Sequence, residues 1–497
     1  MKNTGSKNPA RGAGILMPVS SIPSPYGIGT LGEKAYAFVD FLRESGQKYW
    51  QVLPVGPTSY GDSPYQSFSA YAGNPYFIDP DTLCREGLLT KEECGSYDWG
   101  QDSESVDYSK IYQSRFRLLE AAYKRSGSPA GMEKFCAENE GWLPDYALYM
   151  AIKETMGMRS WTEWDEELKR RCPEALERCR KELGERIGFY TYLQYLFFGQ
   201  WGKLKEYAKQ NGIRIIGDIP IYVSMDSADV WAGSDMFLLD ESKNPIEVAG
   251  CPPDAFSETG QLWGNPLYRW DRMEEQGYDW WINRLAISAR LYDVLRIDHF
   301  RGFESYYAIP YGDATAENGV WKKGPGMKLF HAVQERLPGL DVIAEDLGFL
   351  TDDVRQLLRD SGYPGMKVLE FAFDSREESD YLPHNYEKNC VVYTGTHDND
   401  TVRGWFENAA KEDVALACRY LNIRDIEEGN WAFIRAAYAS VANLAIVQMQ
   451  DFLNLGATAR INTPSTLGQN WKWRMRDGVL TRELSEKIYG MTRLYGR

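Results

Sequence analysis

Short apolar runs recur along this chain, each closed by polar residues or by Gly and Pro, at residues 14–18, 50–54, 214–218, 294–298, 341–345, 367–373, 390–396 and 457–461. Apolar runs of about 4–8 residues bounded by turn formers read as strands buried on both faces, the pattern of a parallel sheet. Most of the later runs alternate with segments of helical period, at 281–292, 327–336, 352–361 and 431–454. Eight β–α units in series predict an α/β protein built as a TIM (β/α)8 barrel. The rival architecture, a doubly wound open sheet, calls for a Gly-rich phosphate loop after the first strand, and the sequence has none.

The spacing is uneven, and that predicts large, mostly helical insertions. Residues 56–210 separate the second and third strands. Their first part, 56–80, is rich in Gly, Ser, Pro, Tyr and Asn; from about residue 88 the pattern turns charged and helical, as at 173–181 and 190–209. A second insertion at 228–270 holds Gly, Pro and aromatic residues with few helical signals. Without repeats, low-complexity tracts or a linker, the sequence predicts one catalytic barrel over residues 1–497 carrying two insertions.

Composition narrows the partners. Hydrophobic residues make up 43% of the chain and charged ones 26%, with 16 Trp, 32 Tyr and 20 Phe. Aromatic faces with polar edges suit an amphipathic ligand such as a sugar, although cores and partner surfaces use them too. The net charge of −15, with no basic block, argues against nucleic acid and anionic membranes. The eight cysteines are scattered without a C-x-x-C, and the four histidines sit near no Cys pair, so no zinc site is expected. Free thiols in a large chain point to a reducing cytoplasm. Residues 1–11 are polar and resemble no signal peptide, and no apolar stretch approaches the ~20 residues of a membrane span.

The candidate chemistry lies at strand ends, where TIM-barrel active sites form. Four runs end in carboxylates: Ile215-Ile216-Gly217-Asp218, Arg296-Ile297-Asp298, Ile343-Ala344-Glu345 and Thr396-His397-Asp398. Strand side chains alternate faces, so Arg296 and Asp298 point the same way, and the guanidinium favours an ionised Asp298. One carboxylate after an apolar run reads as a helix cap or an ion-pair partner. Four opening onto one bowl point to function. Two chemistries use such a cluster: binding of a divalent cation of the magnesium type, and glycosyl transfer or hydrolysis between a carboxylate nucleophile and a carboxylic-acid proton donor. A fixed cation beside Asp298 works against a metal ligand there. His397 beside Asp398 and the aromatic loops favour sugar.

These residues carry a family resemblance. Arg296-Ile297-Asp298-His299-Phe300-Arg301-Gly302, Ala344-Glu345-Asp346-Leu347-Gly348 and Gly395-Thr396-His397-Asp398-Asn399-Asp400-Thr401 resemble the active-site motifs of the 4-α-glucanotransferases. These are the amylomaltases, or disproportionating enzymes, of glycoside hydrolase family 77. The segments Ser59-Tyr60-Gly61-Asp62-Ser63-Pro64-Tyr65-Gln66, Ala72-Gly73-Asn74-Pro75-Tyr76, Gly217-Asp218-Ile219-Pro220-Ile221-Tyr222-Val223 and Thr259-Gly260-Gln261-Leu262-Trp263-Gly264-Asn265-Pro266 are similarly close and in family order.

The resemblance implies a retaining double displacement on α-1,4-glucans (maltooligosaccharides, starch or glycogen fragments), without metal or cofactor. Asp298 would be the nucleophile, Glu345 the acid and then base, and Asp398 the residue gripping hydroxyls of the reacting ring. Arg296, His397, Tyr60, Asp218, Gln261, Trp263 and Asn265 would bind substrate or shape the site, with the loop 248–256 covering the cleft. There are departures: Cys251 and Ala255 stand where an aliphatic residue and often a tyrosine are expected, and Ser465 where glycine is usual, in a segment that also holds Asn462. The alternatives are an α-1,4-glucan hydrolase and a carbohydrate-binding barrel without turnover.

Overall fold

A computed structural model describes residues 11–253, 257–348 and 350–497. Eight parallel strands form the central sheet: β1 (Gly12–Leu16), β2 (Tyr49–Gln51), β3 (Arg214–Ile219), β4 (Val294–Ile297), β5 (Val342–Ala344), β6 (Gly365–Val368), β7 (Cys390–Tyr393) and β8 (Leu444–Gln448). Neighbours pair in sequence order from β1 to β5 and from β6 to β8, and β8 pairs with β1, Gly12 opposite Leu444. The remaining seam, β5 to β6, is bridged by the Ala344 N–H, which donates to the Pro364 carbonyl at 2.9 Å. This is the (β/α)8 barrel that the alternation of apolar runs predicts.

The period-2 rule places the side chains. On β4, Leu295 and Ile297 are 0% and 1% exposed within the apolar core, while Arg296 between them faces the other way. On β2, Trp50 is fully buried and its indole N–H donates to the Met17 carbonyl at 2.8 Å. The register of β3 and β4 sets Asp218 opposite Arg296, and this pairing governs the site.

Three of the predicted elements differ in the structure. The eighth strand is Leu444–Gln448, not 457–461, which instead begins with the single 3₁₀ turn Ala457–Ala459. The predicted helix 431–454 covers three elements: a helix at Gly429–Ala439, then β8, then the short helix Met449–Phe452. The apolar run continues across Ser440 and Asn443 without a Pro or Gly, so periodicity alone leaves the boundary unmarked. The sixth run also starts earlier, and its end, Leu369–Phe371, is a 3₁₀ turn.

Between β2 and β3 the chain is mostly helical, dominated by Tyr108–Ser126, Leu143–Thr155 and the 27-residue helix Gly184–Gln210. That long helix anchors the loop preceding it. Gln194 accepts from the Gly73 N–H at 2.7 Å and donates to the Gly73 carbonyl at 3.0 Å, and Gln200 accepts from the Asp79 N–H at 2.7 Å. A buried amide satisfied on both sides is a costly contact to break, so the loop at 56–80 is held against the body.

The second insertion contains strands Glu247–Cys251 and Gln261–Pro266, which join Ser305–Pro310 and Val320–Lys323 in a four-stranded antiparallel sheet. The latter two strands have no counterpart in the sequence reading. Among the described residues no helix is long and apolar enough to cross a membrane.

Candidate active site

Beyond each strand's last paired residue the backbone ladder continues and carries the carboxylates with it. The Asp298 N–H donates to the Ile219 carbonyl at 2.9 Å, and the Glu345 N–H to the Ile297 carbonyl at 3.0 Å. Asp298 and Glu345 are thus fixed to neighbouring strand ends, where the Glu345 carboxyl feels the Asp298 charge.

Arg296 is sealed beneath Asp298, its side chain 3% exposed, with Asp218 fully buried beside it. Arg296 Nη1 donates to both Asp218 oxygens, at 2.7 and 2.6 Å, and to Asp298 Oδ1 at 3.0 Å. Tyr65 completes the cluster, its hydroxyl donating to Asp218 Oδ2 at 2.8 Å while its ring stacks on His397 at 5.1 Å. The guanidinium therefore serves Asp218 first. Burial raises Asp298 to about 6, because it outweighs the lowering by Arg296 and is reinforced by Asp218 and Asp398.

Glu345 sits in a tighter cradle. The His299 N–H donates to Oε2 at 2.6 Å and the Leu347 N–H to Oε1 at 2.8 Å. His299 adopts φ 52°, a left-handed conformation that costs a non-glycine residue strain; that turn points its N–H at the carboxyl. Burial and then the Asp298 charge push Glu345 up to about 8, against the lowering by Arg296 and the two backbone donors. The His299 ring packs edge-on to Trp263 at 4.8 Å, and burial lowers this imidazole to about 3, so it is neutral.

Asp398 is the open member, its side chain 43% exposed and its Oδ2 3.4 Å from His397 Nε2. Asn462 donates to Asp398 Oδ1 at 2.6 Å, and the Arg460 guanidinium to the Asp398 backbone carbonyl at 2.6 Å. The segment after β8 therefore reaches across to hold this residue. Ser465, further along it, has φ 63°, the conformation that explains why glycine suits the position.

The remaining predicted residues scatter in role. Trp263 donates its indole N–H to Gln261 Oε1 at 3.1 Å, so these two brace each other beside His299. Asn265 is 6% exposed and spends its amide on the Val223 carbonyl at 2.8 Å. Cys251 ends its strand, whereas Ala255 and the Tyr60 side chain lie outside the described residues. Tyr65 and Arg460 were not singled out in the sequence. Tyr65 lies in the same motif as Tyr60, and Arg460 is two residues before Asn462, but neither motif tells which side chain turns inward. Among the described residues no group of three or more His, Cys, Asp or Glu is placed to hold a metal.

A family model described as 4-alpha-glucanotransferase, glycoside hydrolase family 77, matches residues 17–481. A 4-alpha-glucanotransferase of Clostridium butyricum is 52% identical over 97% of this chain and 100% of its own length. One from Thermus thermophilus is 48% identical, over 97% of this chain and 98% of its own. Among solved structures, an amylomaltase from Streptococcus agalactiae in complex with acarbose superposes with a TM-score of 0.95 at 45% identity, covering 98% of this chain and 99% of that one. The chain belongs to the 4-α-glucanotransferases of glycoside hydrolase family 77.

Proposed function

We infer that the protein cleaves an α-1,4 bond of a glucan and passes the glucanosyl segment to the 4-hydroxyl of another glucan or of glucose, by a retaining double displacement. The observation that carries this reading is the placing of two carboxyls on neighbouring strand ends. Asp298 is bonded to the Arg296 guanidinium at 3.0 Å, whereas Glu345 is cradled by two backbone N–H groups with no cation bonded to it among the described residues. Burial and the Asp298 charge push Glu345 the higher of the two. At neutral pH one is an anion and the other an acid, the two states that the two halves of the reaction need.

In the first half, the Asp298 carboxylate attacks the anomeric carbon and Glu345 gives its proton to the departing glycosidic oxygen, leaving a glucosyl ester. In the second, Glu345 takes the proton of an acceptor hydroxyl as that oxygen attacks the anomeric carbon and frees Asp298. Asp398, steadied by Asn462, grips hydroxyls of the reacting ring. Arg296 and Asp218 act from beneath, since neither is open to a ligand, and aim Asp298 rather than touch sugar. Trp263 and Gln261 on the hairpin line the cleft, His397, only 2% exposed, steadies Asp398 from the protein side, and Asn265 braces the hairpin. Acceptor bound there outcompetes water through effective concentration and orientation. The substrates are maltooligosaccharides and fragments of starch or glycogen. Cys84, Cys94, Cys136, Cys172, Cys179, Cys390 and Cys418 are free thiols, which supports a cytoplasmic setting.

Incubation with maltotriose tests the reading. Transfer yields glucose and a ladder of longer oligomers at a constant count of reducing ends. A rising count would replace transfer by hydrolysis, and unchanged maltotriose would leave a binding protein. Asp298→Ala should abolish turnover while maltooligosaccharide binding survives.

A further inference from the structure

Glu370 follows β6 in the 3₁₀ turn Leu369–Phe371, is 9% exposed, and takes no part in the chemistry above. Its N–H donates to the Thr394 carbonyl at 3.2 Å, joining the end of β6 to that of β7. Its carboxyl Oε1 is buried without a partner among the described residues, and so is Oε1 of Gln448, the last residue of β8. Gly395 lies between these two side chains. A methyl group there would collide with Glu370 Oε1 and come within 2.7 Å of Gln448 Nε2.

From Gly395 the chain runs through Thr396 and His397 to Asp398. The rest of this turn is pinned from the same side: Gln448 donates to the Asp400 carbonyl at 3.0 Å, and Asp451 accepts from the Thr394 hydroxyl at 2.6 Å and the Val402 N–H at 2.8 Å. We propose that Glu370 is a positioning residue that works as a neutral carboxylic acid, wedged with Gln448 against Gly395 to seat the turn bearing His397 and Asp398. The proposal rests on the transferase reading, in which Asp398 must meet the sugar in one orientation.

The surroundings leave little room for an anion. The groups facing Glu370 are the Asp451 and Asp400 carboxylates, which oppose its ionisation, and the Arg460 guanidinium and the Asp400 N–H, which favour it less strongly. Arg460 spends its guanidinium on the Asn462 and Asp398 carbonyls instead. Burial, then the two acids, hold Glu370 well above the usual carboxylate range. A protonated carboxyl has one donor and one acceptor face, as a glutamine amide does, and a proton on Oε1 turns one of the two orphaned acceptors into a donor.

Two variants and one titration test this. Glu370→Gln keeps the shape and a donor, and its kcat and KM on maltotriose should stay within about twofold of wild type, because no orientation is lost. Glu370→Ala unseats the turn and should lower kcat roughly 10- to 100-fold with little change in KM. The melting temperature of wild type should fall more than that of Glu370→Gln as pH rises above the ordinary carboxylate value of 4.5. A carboxyl raised in the folded state stabilises below its unfolded value and loses that contribution as pH rises towards its folded one. Glutamine as damaging as alanine would mean that an anion is required; wild-type kcat in alanine would reduce Glu370 to filler; identical melting profiles would remove its proton. Each overturns the proposal. The melting comparison stands even if the alanine variant does not fold, and it reads Glu370 whether or not the wild type transfers sugar. Failure of transfer itself would show in the wild type alone.

Discussion

The Asn462 amide donates to Asp398 Oδ1 at 2.6 Å, joining residues 64 positions apart in the chain. Asp398 is otherwise the most exposed of the three carboxylates, so this bond decides which of its oxygens is free for a ligand. Asn462→Ala should lower kcat roughly 10- to 100-fold while moving KM less, since orientation is lost and charge is kept. Steady-state rates on maltotriose measure it, and an unchanged kcat would assign the bond to folding alone.

Asp218 and Arg296 form a sealed ion pair, and removing one member strands the other. Asp218→Ala should cost about 3–5 kcal/mol, the usual penalty for leaving one buried charge underpartnered. Urea unfolding reads this directly. Asp218→Asn keeps the shape, removes a charge that raises Asp298, and frees Arg296 for it. Its acidic limb of kcat/KM should therefore lie below the wild-type value of about 6.

Turnover should trace a bell in pH. Asp298 must be ionised, so kcat/KM rises through about 6; Glu345 must be protonated, so it falls through about 8. A profile flat between those values and well beyond both would refute the division of labour. Glu345→Gln should cut kcat by about 10²–10⁴.

The same raised carboxyl predicts a stability effect. Its contribution is full below the ordinary value of 4.5 and lost progressively up to about 8. Glu345→Gln should therefore gain stability relative to wild type across that window and hold the gain above it. Thermal melts at a series of pH values provide the check.

Ser465 has φ 63° in an exposed turn. Ser465→Gly removes the clash of a Cβ in that conformation, partly offset by the greater freedom of glycine in the unfolded chain. A net gain of about 0.5–1 kcal/mol is expected, readable as a higher melting temperature.

Most of the barrel was legible because its strands end abruptly: Asp218, Asp298 and Glu345 each close an apolar run, and buried parallel strands cannot be long or polar. The eighth strand was not, since Leu444–Gln448 follows a helix with no breaker between them, and hydrophobicity alone does not separate the two. The same limit hid Ser305–Pro310, buried only in part, and the largely exposed Val320–Lys323, whose pairing comes from a sheet assembled across the chain. At the site, sequence spacing put Arg296 beside Asp298, and the 3.0 Å bond exists. It could not reveal that Asp218 is the preferred partner, because that follows from the register of β3 on β4. Nor could it reveal that burial leaves Asp298 raised rather than lowered. Strand-end carboxylates announce themselves one residue at a time; their protonation is a property of the assembled bowl.

The seam between β1 and β8 has a consequence for how such a chain comes to be folded. Gly12 pairs with Leu444, so a ribosome making about 5–20 residues per second finishes β8 roughly 20–90 s after β1. Through that interval the outer edge of β1 has every backbone group free to template a wrong partner. The long contact range also makes closure slow once the last strand arrives. Vectorial synthesis therefore exposes this protein most at its first strand, and a cell lacking chaperone capacity should lose it to aggregation before, rather than after, the barrel has closed.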